Sequence, residues 1–429
     1  MPADRTAALH DPVLVVGAGP AGATAALRLA RAGVPVRLLD RSRFPRNKPC
    51  GGGISVRVLD RFPYLRQALS RIPTHEVSRL YLEGPGGEST LIESDIPAAL
   101  MIRRVEFDAL LVCLAVEAGV ELLTGVDVVQ AHEGKDNRIE LSSRDGRTFA
   151  SSTLIAADGV NSVVARRLGM NRGWPSHAVA IDMMEETPRT ALRDLDPSTL
   201  WVAYGCAPAL AGRNGAGTRT APEGYAYIFP KRDHVNIGIG YVLSYFRHEV
   251  DEPPYQLQRA FVDRLRARGV VEGESVRANF TPFLIPIGGP LRKPGRRRVL
   301  LAGDAGGFVN GFTAEGIYYA MVSGELAAET VAAAWASRTS NLAQTYRKAV
   351  DREIGAELRD SVLIQRYLFG DRRRIAVAVN EAPRRPELTQ VILDLATGRR
   401  TYRDVRRRLL MGAPRLAARL VWERVRARS

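Results

Sequence analysis

Three observations predict an α/β chain with a second, sheet-based domain and a helical C-terminal end. Pro12 to Asp40 reads as strand, glycine turn, helix and strand. From Trp174 to about Pro290 strand-like segments dominate. At Arg298 to Ala302 an apolar strand restores the α/β texture, and arginine-rich helical sequence follows to Ser429. A chain of 429 residues is long enough for two domains with sizeable cores.

Val13 to Val16 is a short β-branched run of the kind found in a buried parallel strand. Gly17-Ala18-Gly19-Pro20-Ala21-Gly22 follows at once, then the helix-prone Ala23 to Ala32, Gly33, and a second strand, Val36 to Asp40. In such a unit one glycine permits the turn, one lets a pyrophosphate approach the backbone, and one lets helix and strand pack closely. The helix N-terminus offers free N–H groups to phosphates. Asp40 stands where an acid accepts hydrogen bonds from an adenosine ribose. The stretch predicts a Rossmann-like dinucleotide site and leaves FAD and NAD(P) both open.

Further along, Arg41 to Gly53 is a loop rich in Arg, Pro and Gly, and a helix is expected from Ile54-Ser55 towards Arg61. Val77 to Glu83 and Ser89 to Ser94 read as strands, and Arg104 to Ala118 as an amphipathic helix opened by a phosphate-binding candidate, Arg104. Val120 to Leu123 and Val126 to Gln130 read as a strand and its continuation. A hairpin is expected around Asp145-Gly146, and Leu154 to Ala157 is a buried strand delivering Asp158 and Gly159. In the second domain, Tyr225 to Phe229 and Val235 to Val242 form a hairpin. Period two places Tyr225, Tyr227 and Phe229 on one face, and Val235, Ile237, Ile239 and Tyr241 on one face of the next strand. The insert Gly212 to Glu223 is expected to be a mobile loop.

Gly303-Asp304-Ala305-Gly306-Gly307-Phe308, with Gly311 to Ile317 behind it, decides the cofactor. A strand delivers a Gly-Asp pair, a glycine-rich loop follows, and a helix opens at Glu315-Gly316-Ile317. A carboxylate there accepts hydrogen bonds from ribityl hydroxyls, and helix-start N–H groups stabilise the negative charge of a reduced flavin. FAD is therefore the expected cofactor.

Together GAGPAG, Asp40, Asp158-Gly159 and Gly303-Asp304 resemble the FAD-dependent oxidoreductases of the p-hydroxybenzoate hydroxylase fold. FPRNKPCGGGIS (Phe44 to Ser55), GYAYIFPK (Gly224 to Lys231) and GDAGGFVNGFTAEGIYYAMVSG (Gly303 to Gly324) narrow the resemblance to the geranylgeranyl reductase family, over residues 11 to about 340. It implies a Rossmann-like FAD-binding domain (11–71, 100–172 and 297–338), a discontinuous antiparallel-sheet substrate domain (72–99 and 173–296), an N-terminal arm (1–10) and a helical basic tail (339–429). It implies that Gly17, Gly19, Ala21, Gly22, Asp40 and Arg41 hold the ADP half of FAD, with Arg104 at the phosphates and the Val128 backbone at the adenine. Cys50, Gly51 and Gly53 would lie against the flavin, Asp158, Gly303 and Asp304 beside the cofactor, and Gly316 and Ile317 at the pyrimidine edge. Tyr225, Tyr227, Phe229 and Phe312 are the substrate candidates, with Phe308, Tyr318 and Tyr319 as further aromatics. Four positions depart from the family pattern: Asp40 for glutamate, Tyr227 for tryptophan, Ala314 for glycine and Gly311 for proline.

The implied reaction is hydrogenation of isolated C=C bonds in a prenyl chain on a diphosphate, lipid or quinone. Reduced flavin supplies hydride, and Cys50 is the first candidate proton donor. NAD(P)H or a ferredoxin-type protein would be the electron donor. The alternatives are a monooxygenase or halogenase of the same fold, or a flavoprotein scaffold held at membranes. Three widely spaced cysteines exclude a disulfide framework and a CxxC metal site and suit a reducing cytoplasm. The formal net charge of +15 is concentrated at 399–429, where eleven arginines face only Asp404 and Glu423. With no nucleic-acid motif present, an anionic membrane surface is the partner this tail suggests, placing the protein in the cytoplasm or at the inner face of the membrane.

Overall fold

The computed structural model describes residues 11–134, 136, 138–193, 196–204, 223–337, 341–398, 402, 404 and 407. The expected arm 1–10, most of the Gly212–Glu223 insert and most of the 399–429 tail lie outside the described residues.

The first large sheet has six strands, in the order Gly295–Arg296, Val299–Leu301, Leu154–Ala156, Val13–Val16, Val36–Asp40 and Glu121–Thr124. All but the edge pair Gly295–Arg296 and Val299–Leu301 run parallel, with Leu14 beside Leu154 and Val15 beside Leu38. The strands VLVV, LIA and VLL are wholly buried because helices and loops cover both faces. The helices Pro20–Arg31 and Ile317–Ser337 make the most intimate helix contact. A Cβ on Gly324 would stand 2.1 Å from the Ala21 carbonyl oxygen, so only glycine allows that approach.

A second sheet has seven strands, ordered Phe280–Ile285, Ala180–Pro188, His234–Val242, Gly224–Pro230, Thr199–Tyr204, Arg79–Glu83 and Ser89–Glu93. It is antiparallel except where Thr199–Tyr204 meets Arg79–Glu83. One face of the His234–Val242 strand, Val235, Ile237, Ile239 and Tyr241, enters the core with Leu257, Phe261 and Leu265 of helix Pro254–Ala267. Its other face, Asn236, Gly238 and Gly240, turns to the site described below.

Three local readings change. Gly53–Ser55 is a strand paired with Ala99–Met101, and helix begins only at Val58, because Ser55 N–H donates to the Glu315 carboxylate at 2.9 Å. Val128–Glu133 does not continue Glu121–Thr124. Gly125, at φ +70°, turns the chain into a separate three-stranded sheet with Ile139–Ser143 and Thr148–Ser151. Finally, the sequence set residues from 339 onward apart as a tail, but helices Ala356–Phe369 and Arg372–Glu381 pack onto the seven-stranded sheet. Phe369, Ile375 and Val379 share a core there with Leu80, Leu82, Ile92 and Val202. Among the described residues no helix is long and apolar enough to cross a membrane.

Candidate active site

The glycine turn is shaped by contacts inside the chain. Gly17 has φ +93°, and a Cβ on it would lie 2.3 Å from the Ala157 carbonyl oxygen; one on Gly22 would lie 1.8 Å from the Gly17 carbonyl oxygen. Gly19 is different, because its nearest neighbour is the Arg46 guanidinium at 3.6 Å. The open glycine and the internal ones divide as the motif requires. Helix Pro20–Arg31 starts with no side-chain cap, so its first N–H groups are free for an anion. Asp40 accepts the Ala18 N–H at 2.7 Å and the Ser42 N–H at 2.8 Å, pinning the turn and retaining lone pairs for further donors. Arg41 is exposed beside it. The Val126 N–H donates to the Asp40 carbonyl at 2.9 Å, which brings the Val128 backbone to the same end of the sheet. Asp158 lies against Gly17, but its carboxylate is spent on the next helix, accepting from Ser162 Oγ at 2.6 Å and Val164 N at 3.1 Å. Burial raises its pKa.

Cations gather in front of the open glycine. Arg104 is buried and binds Asp108 through two N–H groups, at 2.7 and 2.8 Å, and Arg46 reaches the same carboxylate at 3.1 Å. A guanidinium has five donors, so Arg104 keeps donors to spare. Lys48 lies further along the same loop, between Asp304 and the seven-stranded sheet, its ammonium over the Phe283 ring at 4.6 Å and its pKa lowered by burial and by Arg104. The sequence reading missed Lys48, although it lies inside the quoted FPRNKPCGGGIS segment.

Cys50 to Gly53 lies across the bare face of the seven-stranded sheet. Asn236 Nδ2 donates to the Cys50 carbonyl at 2.8 Å, and Cys50 Sγ takes the Gly52 N–H at 3.4 Å. Alternate residues of strand Gly224–Pro230 and its successor Lys231 meet this loop. The Tyr227 and Phe229 rings come within 3.7 and 2.8 Å of where a Gly51 Cβ would be, and Lys231 Nζ within 2.9 Å of one on Gly52. The expected common face is real, and it continues to Lys231. Lys231 is 1% exposed and pairs with Glu186, which also receives Arg103 at 2.7 Å. Phe229, one of the substrate candidates, packs on the loop beside Gly51 and Gly53. Phe308 and Tyr319 are core residues, and Tyr318 lies under the Arg57 guanidinium at 3.9 Å.

Asp304 sits in the turn Gly303–Gly306, and among the described residues no donor reaches its carboxylate. A Cβ on Gly316 would lie 3.7 Å from Asp304 Oδ1, so the acid, with Lys48 as its charged neighbour, stands beside the start of helix Ile317–Ser337. Between them Ala314 has φ +56°. This is the position where the family pattern has glycine, and alanine is strained there. Ala314→Gly is expected to stabilise the protein by up to about 1 kcal/mol after the entropic cost of glycine, measured by denaturant unfolding. A loss of stability would contradict the strain.

A narrow cleft, with a volume of about 40 Å³, opens beside this loop, lined by Asp182, Tyr225, Tyr227, Phe312, Gln365 and Phe369 among others. Tyr225 donates to the Thr313 carbonyl at 2.7 Å, and Phe312 packs on Phe369 at 5.9 Å. Asp182 was missed. Its one sequence signal is a lone acid on the cleft-facing alternation of AIDMM, and Gln365 gave no signal at all.

The donor set fits FAD: a free helix N-terminus behind an open glycine, the Arg46 guanidinium at that point, and beside a second helix start a carboxylate with no hydrogen bond spent within the protein. Residues 10–266 match the FAD binding domain family. The chain is 33% identical over 325 residues to menaquinone reductase of Mycobacterium tuberculosis, covering 74% of this chain and 75% of the relative. It is 30% identical over 348 residues to the chloroplastic geranylgeranyl diphosphate reductase of Oryza sativa subsp. japonica, covering 76% and 67%. A geranylgeranyl bacteriochlorophyll reductase-like protein from Thermoplasma acidophilum shares the fold at a TM-score of 0.75 and 19% identity, over 93% of this chain and 98% of that one. Fold and site thus define an FAD-dependent oxidoreductase. Within that class, the chain belongs to the geranylgeranyl reductase family.

Proposed function

We propose that this enzyme hydrogenates isolated C=C bonds of a prenyl chain carried on a diphosphate, lipid or quinone. The observation that carries the reading is the aromatic cleft between the Asp304–Gly316 loop and the seven-stranded sheet, closed on one side by Phe369 of a C-terminal helix. Aromatic walls suit an apolar chain and exclude water, and the names of the two reductase relatives agree with such a substrate.

In this reading bound FAD, reduced by NAD(P)H or a ferredoxin-type donor, supplies hydride. The chain's own residues do the rest. Gly17, Gly19, Ala21, Gly22, Asp40 and Arg41, with the Val128 backbone, receive the ADP half, and Arg46 and Arg104 offset phosphate charge. Asp158 and Gly303 shape the turns beside them. Asp304, Gly316 and Ile317 meet the ribityl chain and ring edge, and Cys50, Gly51 and Gly53 the ring face. Tyr225, Tyr227 and Phe312 hold the prenyl chain.

The test is to incubate the reduced holoenzyme with prenyl diphosphates, lipids and quinones and to weigh the products. Gains in steps of two hydrogens are expected. Incorporation of oxygen or halogen would instead mark the monooxygenase or halogenase chemistry of the same fold. The basic segment 399–429 suits an anionic membrane surface from which such a lipid would be drawn. Deleting it is expected to weaken binding to anionic vesicles, and unchanged binding would refute that anchor.

A further inference from the structure

One acid in the cleft is not accounted for by folding. Asp182 is 5% exposed, its Oδ2 accepts the Tyr227 hydroxyl at 2.9 Å, and its Oδ1 is buried with no partner. The two residues are not on neighbouring strands. The His234–Val242 strand runs between them, and it carries Gly238 opposite Tyr227 and Gly240 opposite Asp182. A Cβ on Gly238 would lie 2.5 Å from the Tyr227 hydroxyl oxygen, so the phenol crosses the strand through the space that glycine leaves. On the opposite edge of the same ring, Cε2, the carbon beside the hydroxyl-bearing Cζ, lies 3.7 Å from a Gly51 Cβ, where the flavin-facing loop lies. A tyrosine thus spans from a buried acid to the proposed reaction site. This is also the position at which the chain departs from the family's tryptophan.

The geometry points to Tyr227 and Asp182 as a two-residue proton relay for alkene reduction, an inference that rests on the function proposed above. As carboxylate, Asp182 only accepts and holds the Tyr227 hydrogen. As carboxylic acid it donates to the Tyr227 oxygen, freeing the phenol O–H to turn into the cleft. The alkene π pair takes that proton, forming C–H at one carbon as the Tyr227 O–H bond breaks. Hydride from the reduced flavin forms C–H at the other carbon, so the alkene gains two electrons and the flavin loses two. Tyr227 recovers its proton from Asp182, and solvent reprotonates Asp182 between turnovers. Burial raises Asp182 to about 7, so the acid form is present at neutral pH. The charged or titratable groups around the acid are Lys48 and Cys50 from the loop, Glu223 at the cleft mouth, and Tyr225 beside Tyr227. The strands flanking Asp182 place only Gly240 and Phe283 opposite it, and the covering helix offers neutral Gln365.

The test uses the holoenzyme with dithionite as reductant and geranylgeranyl diphosphate as probe. In Tyr227→Phe, kcat is expected to fall 100-fold or more with KM within about twofold, while bleaching of the flavin by dithionite is unchanged. Wild-type kcat is expected to fall as pH rises through about 7, and Asp182→Asn to abolish that limb. Without substrate, the infrared spectrum should contain a carboxylic-acid carbonyl band that titrates near the same pH and is missing in Asp182→Asn. Wild-type turnover with undiminished kcat in Tyr227→Phe would overturn the relay alone. So would a 100-fold loss in Cys50→Ser with none in Tyr227→Phe, returning the role to the cysteine. A wild type that reduces no prenyl chain would overturn the function itself.

Discussion

Replacing Gly52 by alanine is expected to destabilise the protein by about 3 kcal/mol and to abolish turnover. Gly52 has φ +74°, where an L side chain costs about 1–2 kcal/mol, and its Cβ would stand 2.1 Å from the Ile102 carbonyl oxygen. The obstacle is backbone, and the Ile102 N–H donates to the Gly52 carbonyl at 2.9 Å, so strand and loop must move together. Gly51→Ala provides the contrast. Its Cβ would meet the Phe229 ring at 2.8 Å, and a side chain yields more cheaply, at about 1 kcal/mol. Thermal unfolding and flavin retention would rank the two. Equal effects, or a milder Gly52→Ala, would show that the loop is not seated as described.

Glu186→Ala is expected to cost about 3–5 kcal/mol, because it strands the Lys231 ammonium, 1% exposed, with Arg103 as a like-charged neighbour. Lys231 already has its pKa lowered, chiefly by burial and despite Glu186. Without the carboxylate it falls further. The unfolded chain then binds more protons than the folded one below about pH 10, so the variant's stability rises with pH. The deficit relative to wild type should be largest near neutral pH and shrink towards pH 10, as measured by denaturant melts across that range. Glu186→Gln, which keeps an acceptor, should lose less. A pH-independent deficit would show that Lys231 is neutral in the native protein.

Legibility in the sequence followed the range of the interaction. The glycine turn, the Gly303-Asp304 loop and the shared face of Tyr225, Tyr227 and Phe229 rest on spacings within a few residues, and the structure shows each arrangement. What escaped depends on distant partners. Ile54-Ser55 looks helical until Ala99–Met101 and Glu315 supply a strand partner and an acceptor. Asn236 gains meaning only when Cys50 lies above it, and Asp182 only when two glycines on the intervening strand let Tyr227 across. The arginine bias after residue 339 concealed apolar faces, including Phe369, Ile375 and Val379, that have no visible partner in the sequence. Ala314 is intermediate. Its departure from glycine is readable, but its positive φ is not.

These elements converge on one claim, that the cleft beside Asp304 and Gly316 reduces a carbon–carbon double bond. The most direct test is a single turnover under nitrogen. Holoenzyme is bleached with one equivalent of dithionite, mixed with geranylgeranyl diphosphate, and followed by flavin absorbance and product mass. The account predicts that yellow colour returns without oxygen, with one two-hydrogen mass gain per flavin reoxidised. Colour that returns only when oxygen is admitted, with the probe unchanged or oxygenated, would contradict it.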